Sequence, residues 1–154
     1  MTEVLFYHLK GQTPEQVLPA LLQKSLERGW RVVIQASSDE RVEALDAHLW
    51  TWRDDSFLPH GTSRDAEAAE QPIILTATAD NPNGATVRFL VDGAEMTDDL
   101  ADASKGYERI VMLFDGDDPD AVEAARARWT KAKTAGAEVT YWRADENGRW
   151  QRQG

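Results

Sequence analysis

Residues 109–119 read R-I-V-M-L-F-D-G-D-D-P, and this stretch decides the fold. Arg109 to Phe114 is a continuous apolar run rather than an apolar–polar alternation, the pattern of a central parallel strand that is covered on both faces. Asp118-Pro119 then opens a helix, with an acid able to cap it and proline at its first position, and Gly136 closes it after Ala135. V-T-Y-W at 139–142 supplies a closing strand. Strand, helix and strand within about 35 residues is one crossover unit of a parallel sheet.

The N-terminal third repeats this grammar. V-L-F-Y at 4–7 is a short β-branched and aromatic run; Thr13-Pro14 starts a helix that carries Val17, Leu18, Leu21, Leu22 and Leu26 at helical spacing as far as Gly29. R-V-V-I-Q at 31–35 reads as a strand. Ser37-Ser38-Asp39 caps a second helix with Val42, Leu45 and Leu49 on one face. In the middle, P-I-I-L-T at 72–76 and T-V-R-F-L-V at 86–91 are strands on either side of the turn Asp80-Asn81-Pro82-Asn83-Gly84. Residues 61–71 are polar, acidic and aperiodic and are expected to form a mobile loop. Residues 94–105 read as a short helix or loop around Leu100, and Arg143 onward as a fraying tail into which Trp150 can tuck. The expectation is a single α/β domain over 1–143 with a C-terminal tail at 144–154. Its sheet is doubly wound, mostly parallel and Rossmann-like, with helices on both faces.

Composition bounds the function. The chain has 154 residues, 42% of them hydrophobic and 29% charged, which is ample for one core. It contains no cysteine, so thiolate catalysis and cysteine-bound zinc are excluded. The start M-T-E-V-L-F-Y-H-L-K-G has too short an apolar run for a signal peptide, and no segment approaches a membrane span, so a cytoplasmic protein without membrane contact is expected. Seventeen Lys and Arg against 27 Asp and Glu give a net charge of −10, which opposes direct nucleic-acid binding.

Strand ends are where such sheets place chemistry, and the loops there hold little. H-L-K-G-Q-T-P at 8–14 has one glycine and matches neither phosphate-cradling motif, so no nucleotide cofactor is expected. His8, His48 and His60 are scattered without metal-ligand spacing and read as structural. The Asp115, Asp117 and Asp118 cluster keeps open a small metal-dependent α/β enzyme, although acids at a helix start are expected from capping and the dipole alone. A serine-hydrolase elbow is absent.

Surface remains. From Arg126 the last helix carries Arg126, Arg128, Lys131 and Lys133 with no acid before Ala137, a basic island in an acidic chain. Arg126, Trp129 and Lys133 fall at i, i+3 and i+7, so an aromatic lies between two cations on one helix face. That arrangement suits an acidic peptide with an apolar anchor. Trp129 equally continues Val122, Ala125 and Ala132 as a core stripe, and both readings stay open. L-W-T-W-R-D-D-S-F-L-P-H-G at 49–61 poses a similar choice. Trp50 and Trp52 point to different sides of a helix, so they can be buried together only if the helix has ended by Leu49 or Trp50. Trp50 is expected to close the core, with Trp52 and Phe57 and the Pro59 turn partly exposed.

Several of these stretches together carry a resemblance: F-Y at 6–7, G-W-R-V-V-I at 29–34, L-W with S-F-L-P-H at 49–60, and A-R-A-R-W-T-K-A-K-T-A-G at 125–136. In this order they resemble the chi subunit of bacterial DNA polymerase III. The resemblance implies a non-catalytic accessory protein of the clamp-loader assembly, without cofactor or metal. Its implied partners are the acidic C-terminal tail of single-stranded DNA-binding protein, ending Asp-Asp-Ile-Pro-Phe, and a psi subunit or other clamp-loader component. On that reading Arg126, Trp129, Thr130 and Lys133 bind the tail; Trp129 stands where tyrosine is usual and Thr130 where some members have lysine. Trp50, Trp52, Phe57 and Pro59 are the implied docking edge for psi.

Overall fold

The computed structural model describes residues 2–51, 60–94, 106–144 and 149–153. In chain order the elements are β1 (Glu3–Leu9), α1 (Pro14–Glu27), β2 (Val32–Gln35), α2 (Asp39–Thr51), β3 (Gly61–Thr62), a 3₁₀ turn (Ala68–Glu70), β4 (Ile73–Thr76), β5 (Val87–Leu90), β6 (Arg109–Asp115), α3 (Pro119–Thr134), β7 (Glu138–Ala144) and β8 (Trp150–Arg152). The eight strands form one sheet in the order β3-β4-β2-β5-β6-β1-β7-β8. Every pairing is parallel except β7 with β8. β6, the run that decides the fold, lies inside the sheet between β5 and β1, with Val4 opposite Ile110 and Phe6 opposite Met112.

Because strand side chains alternate, β1 serves two cores. Leu5 and Leu9 join Val17, Leu18 and Leu22 of α1 and Leu45 and Leu49 of α2 in one cluster. Val4 and Phe6 join Ala125 of α3 in the other, against which Val122 and Trp129 also pack. The chain therefore leaves β1 and β6 toward opposite faces of the sheet, as the alternating pattern predicts. Local capping follows the sequence closely. The Gln16 side chain accepts the Thr13 N–H at 2.9 Å, and the Ser38 hydroxyl accepts the Arg41 N–H at 3.3 Å. Gly29 and Gly136, with φ of +77° and +87°, stop α1 and α3 in a conformation that other residues resist.

Two expectations need correction. Residues 61–71 hold a short strand on the edge of the sheet and a 3₁₀ turn that buries Ala68; the Thr62 N–H is held by the Asp65 carboxylate at 2.9 Å. A two-residue strand is shorter than any periodic window, so polar composition conceals it. The tail, expected to fray, adds β8 beside β7, and Trp150 stacks on Tyr7 at 4.7 Å and 17°. Calls on residues 95–105 fall outside the described residues.

Arg88, buried completely in β5, is a feature that strand propensity does not predict. All five of its guanidinium hydrogens are used. Nε and Nη2 donate to Gln35 Oε1 at 3.1 and 2.5 Å, Nη2 also to the Thr78 carbonyl, and Nη1 to the Asp80 carbonyl and the Tyr107 hydroxyl. Full pairing is the condition under which a charge can be buried there.

Candidate functional site

The crevice between the carboxyl ends of β1 and β6, where the two crossovers diverge, is the usual ligand seat of such sheets. Here the chain's own acids occupy it. Asp117 Oδ2 accepts the Gly11 N–H at 3.1 Å, in the loop that leads into α1. Asp115 Oδ1 accepts the Asp117 N–H at 2.9 Å, and Asp118 Oδ1 caps α3 by accepting the Asp120 N–H at 3.0 Å. A further backbone bond, Gly116 N–H to the Leu9 carbonyl at 2.6 Å, ties the two loops together. Gly116 has no room for a side chain: a Cβ would overlap the His8 ring and come within 2.7 Å of the Leu9 carbonyl oxygen. The three acids thus hold separate backbone N–H groups, and no cluster of three potential metal ligands occurs among the described residues.

On α3 both readings of Trp129 are realised at once. Its ring packs half-buried against the second core cluster, on the same stripe as the buried Ala125 and Ala132. Lys133 Nζ lies 4.4 Å from the ring centroid, a cation–π contact worth roughly 0.5–1 kcal/mol at an exposed position. Trp129 Nε1 is buried with no hydrogen-bond partner among the described residues. Arg126 is exposed one turn before Thr130, whose hydroxyl donates back to the Arg126 carbonyl at 3.0 Å and is therefore spent on the helix itself.

Sequence reasoning missed what faces α3 from the sheet. His8, buried at the end of β1, shares a 2.6 Å hydrogen bond between Nδ1 and the Tyr141 hydroxyl of β7. Burial is the first cause holding the His8 pKa below its ordinary value; Arg143, Lys10 and Arg126 push the same way, and Asp117 opposes them. Burial raises Tyr141, while Arg143 and Arg126 pull it down. Arg143 of β7 and Arg126 of α3 thus bear on both members of the histidine–tyrosine pair, and Lys10, in the loop after β1, bears on His8 alone. The register that sets His8 beside Arg143 is the signal that joins them, and it exists only once β1 pairs β7.

The other histidines lie elsewhere. His60 is buried with Nε2 3.1 Å from Asp46 Oδ1, and His48 sits in the last turn of α2. Of the aromatic stretch at 49–61, Leu49 is buried in the first core, and α2 continues through Trp50 to Thr51. Trp52, Phe57 and Pro59 fall outside the described residues.

The molecule is thus a mostly parallel α/β domain with its strand-end acids engaged by its own backbone and a run of cations on one helix. A family model described as "DNA polymerase III chi subunit, HolC" matches residues 1–140, and the chain belongs to that family. It is 27% identical over 117 residues to "Probable DNA polymerase III subunit chi" of Rickettsia prowazekii, covering 75% of this chain and 71% of that protein. It is also 32% identical over 78 residues to "DNA polymerase III subunit chi" of Pseudomonas aeruginosa, covering 49% and 54% respectively.

Proposed function

We propose that the chain is a non-catalytic accessory subunit that captures the acidic, phenylalanine-terminated tail of single-stranded DNA-binding protein on α3 and links it to the clamp loader. The observation that carries this reading is the cationic α3 in a chain of net charge −10, with Lys133 over the Trp129 ring and Arg126 acting, together with Arg143, on the His8–Tyr141 pair. Cations answer the tail's carboxylates, and the aromatic groups answer its terminal ring. Arg126, Trp129, Thr130 and Lys133 are the assigned contacts; Thr130 contributes shape rather than its hydroxyl. Psi or another clamp-loader component docks at Trp50, Trp52, Phe57 and Pro59. The same reading takes the sheet as Rossmann-like without a phosphate loop, residues 1–143 as one domain, and the protein as cytoplasmic, without cofactor and without direct contact to nucleic acid. No helix among the described residues is long and apolar enough to cross a membrane. The backbone duties of Asp115, Asp117 and Asp118 weigh against the competing metal-enzyme reading.

Titration with a labelled peptide ending Asp-Asp-Ile-Pro-Phe tests the proposal. Binding should saturate, weaken with salt, and lose about 1.5–3 kcal/mol in Arg126→Ala, the range for a charge-assisted hydrogen bond. A peptide that fails to saturate, or an Arg126→Ala variant that binds as the parent does, would sink it.

A further inference from the structure

A second surface combines aromatic and cationic groups, on the face of the sheet opposite α3. It is a cavity of about 290 Å³ between the sheet and the C-terminal half of α1. Leu5 and Val111 belong to its floor. On one side Tyr7 lies flat against Trp150 and meets Trp142 edge-on, with centroids 6.2 Å apart and planes at 85°. At the other end the guanidinium groups of Arg28 and Arg109 each lie 5.0 Å from the centroid of the Trp30 ring. Lys24 adds a third cation to the rim.

The charges there are unbalanced. Glu3 lies 3.7 Å from Arg109 Nε, while neither Lys24 nor Arg28 has an ion pair among the described residues. Three cations against one acid, gathered in a chain of net −10, create a local demand for an anion. The Tyr7 hydroxyl is held above its ordinary pKa chiefly by burial, with Arg109 and Arg28 opposing, so it stands as a neutral donor in the wall.

We propose that this cavity, walled by Tyr7, Trp142 and Trp150 and rimmed by Lys24, Arg28 and Arg109, binds an acidic peptide segment that presents an aromatic side chain. The ring enters among the aromatic walls, where edge-to-face and stacked contacts are available, and neighbouring carboxylates meet the guanidinium groups. A nucleic-acid strand fits less well. It carries a charge at every nucleotide and needs cations along a groove, whereas these are confined to one end of one cavity, and the whole chain repels a phosphate backbone. The site stands apart from the α3 reading, because the sheet separates the two.

Calorimetric titration of the full chain with acetyl-Asp-Asp-Asp-Phe in an Arg126→Ala background isolates this seat. One peptide should bind, and adding Lys24→Glu with Arg28→Glu, exposed in the last turn of α1 and at its C-cap, should weaken it about tenfold or more. Acetyl-Asp-Asp-Asp-Ala and a ten-residue oligothymidylate should bind far more weakly. Thermal melts of the charge-reversed variant check that it folds, and Arg109→Gln provides a second route to the same loss. The proposal is overturned if the peptide does not bind in the Arg126→Ala background, if binding there ignores all these substitutions, or if the oligonucleotide binds and the peptide does not. A failure of the α3 reading gives a different signature: Arg126→Ala would bind as the parent does, and the Lys24 and Arg28 reversals would still weaken binding about tenfold or more.

Discussion

The two aromatic–cationic surfaces of this molecule are built from similar residues in opposite ways. On α3, one helix supplies the cations and the tryptophan, and the ring is half-sunk in a core cluster with a lysine over it. On the α1 face, β1, β7 and β8 supply the rings while α1, its C-cap residue Arg28 and β6 supply the cations, and they enclose a cavity. The same chemistry therefore has different dependence on the fold. Both rings are partly buried against a core cluster, Trp129 from the helix α3 and Trp150 from the three-residue edge strand β8.

The sharpest way to break that contrast is to truncate each ring. Trp129→Ala should cost about 2–3 kcal/mol in denaturant unfolding, somewhat below the range for a fully buried tryptophan because the ring is half-exposed. Trp129→Phe should recover most of this, since it refills the space and deletes a buried donor that has no partner among the described residues. Should Trp129→Ala unfold at the parental midpoint, its core role is wrong and the ring belongs wholly to a binding surface. Trp150→Ala should lose the stacked pair with Tyr7, about 0.5–1.5 kcal/mol, in addition to the area the ring buries against the first core, yet less in total than Trp129→Ala because β8 pairs on one side alone. A loss as large as that of Trp129→Ala would mean that the edge position of β8 does not soften the truncation and would erase the distinction.

The contrast also explains how much could be read from sequence. The strand at 109–114, the capped helices and their glycine stops are local patterns, and the structure keeps them. The cations of α3 were legible for the same reason: i, i+3 and i+7 spacing is a property of one helix. His8 with Tyr141, and Tyr7 with Trp150, are 133 and 143 residues apart in sequence, and only the β1–β7–β8 pairing brings them together. Arg88 was hidden differently. Two of its four acceptors are backbone carbonyls of the turn after β4, of which a side-chain pattern carries no trace, and the other two, on Gln35 and Tyr107, lie 53 and 19 residues away in sequence.

The smallest expected effect concerns pH, and it separates the two surfaces by sign. His8 has a folded pKa held below its ordinary 6.5, first by burial and then by Arg143. Above that ordinary value the ring is neutral in both folded and unfolded chains and contributes no slope. As pH falls through it, the unfolded chain takes up the proton first, so His8 should draw stability down until the folded ring is protonated too. Chemistry at Nδ1 agrees, because a neutral ring can accept a hydrogen bond from the Tyr141 hydroxyl there and a protonated ring cannot. The α1 face holds Tyr7, whose raised pKa acts at the other end: stability should fall as pH rises past the ordinary tyrosine value of 10.0. Tyr141 adds a loss of the same alkaline sign on the α3 side, so only the acid limb is diagnostic. Melting wild type and His8→Gln across pH 7.5 to 5 isolates it, since the other acid-side titrations are common to both proteins. The variant should show a shallower decline, whereas parallel curves would mean that His8 keeps its ordinary pKa and that the cations around it are too well screened to matter.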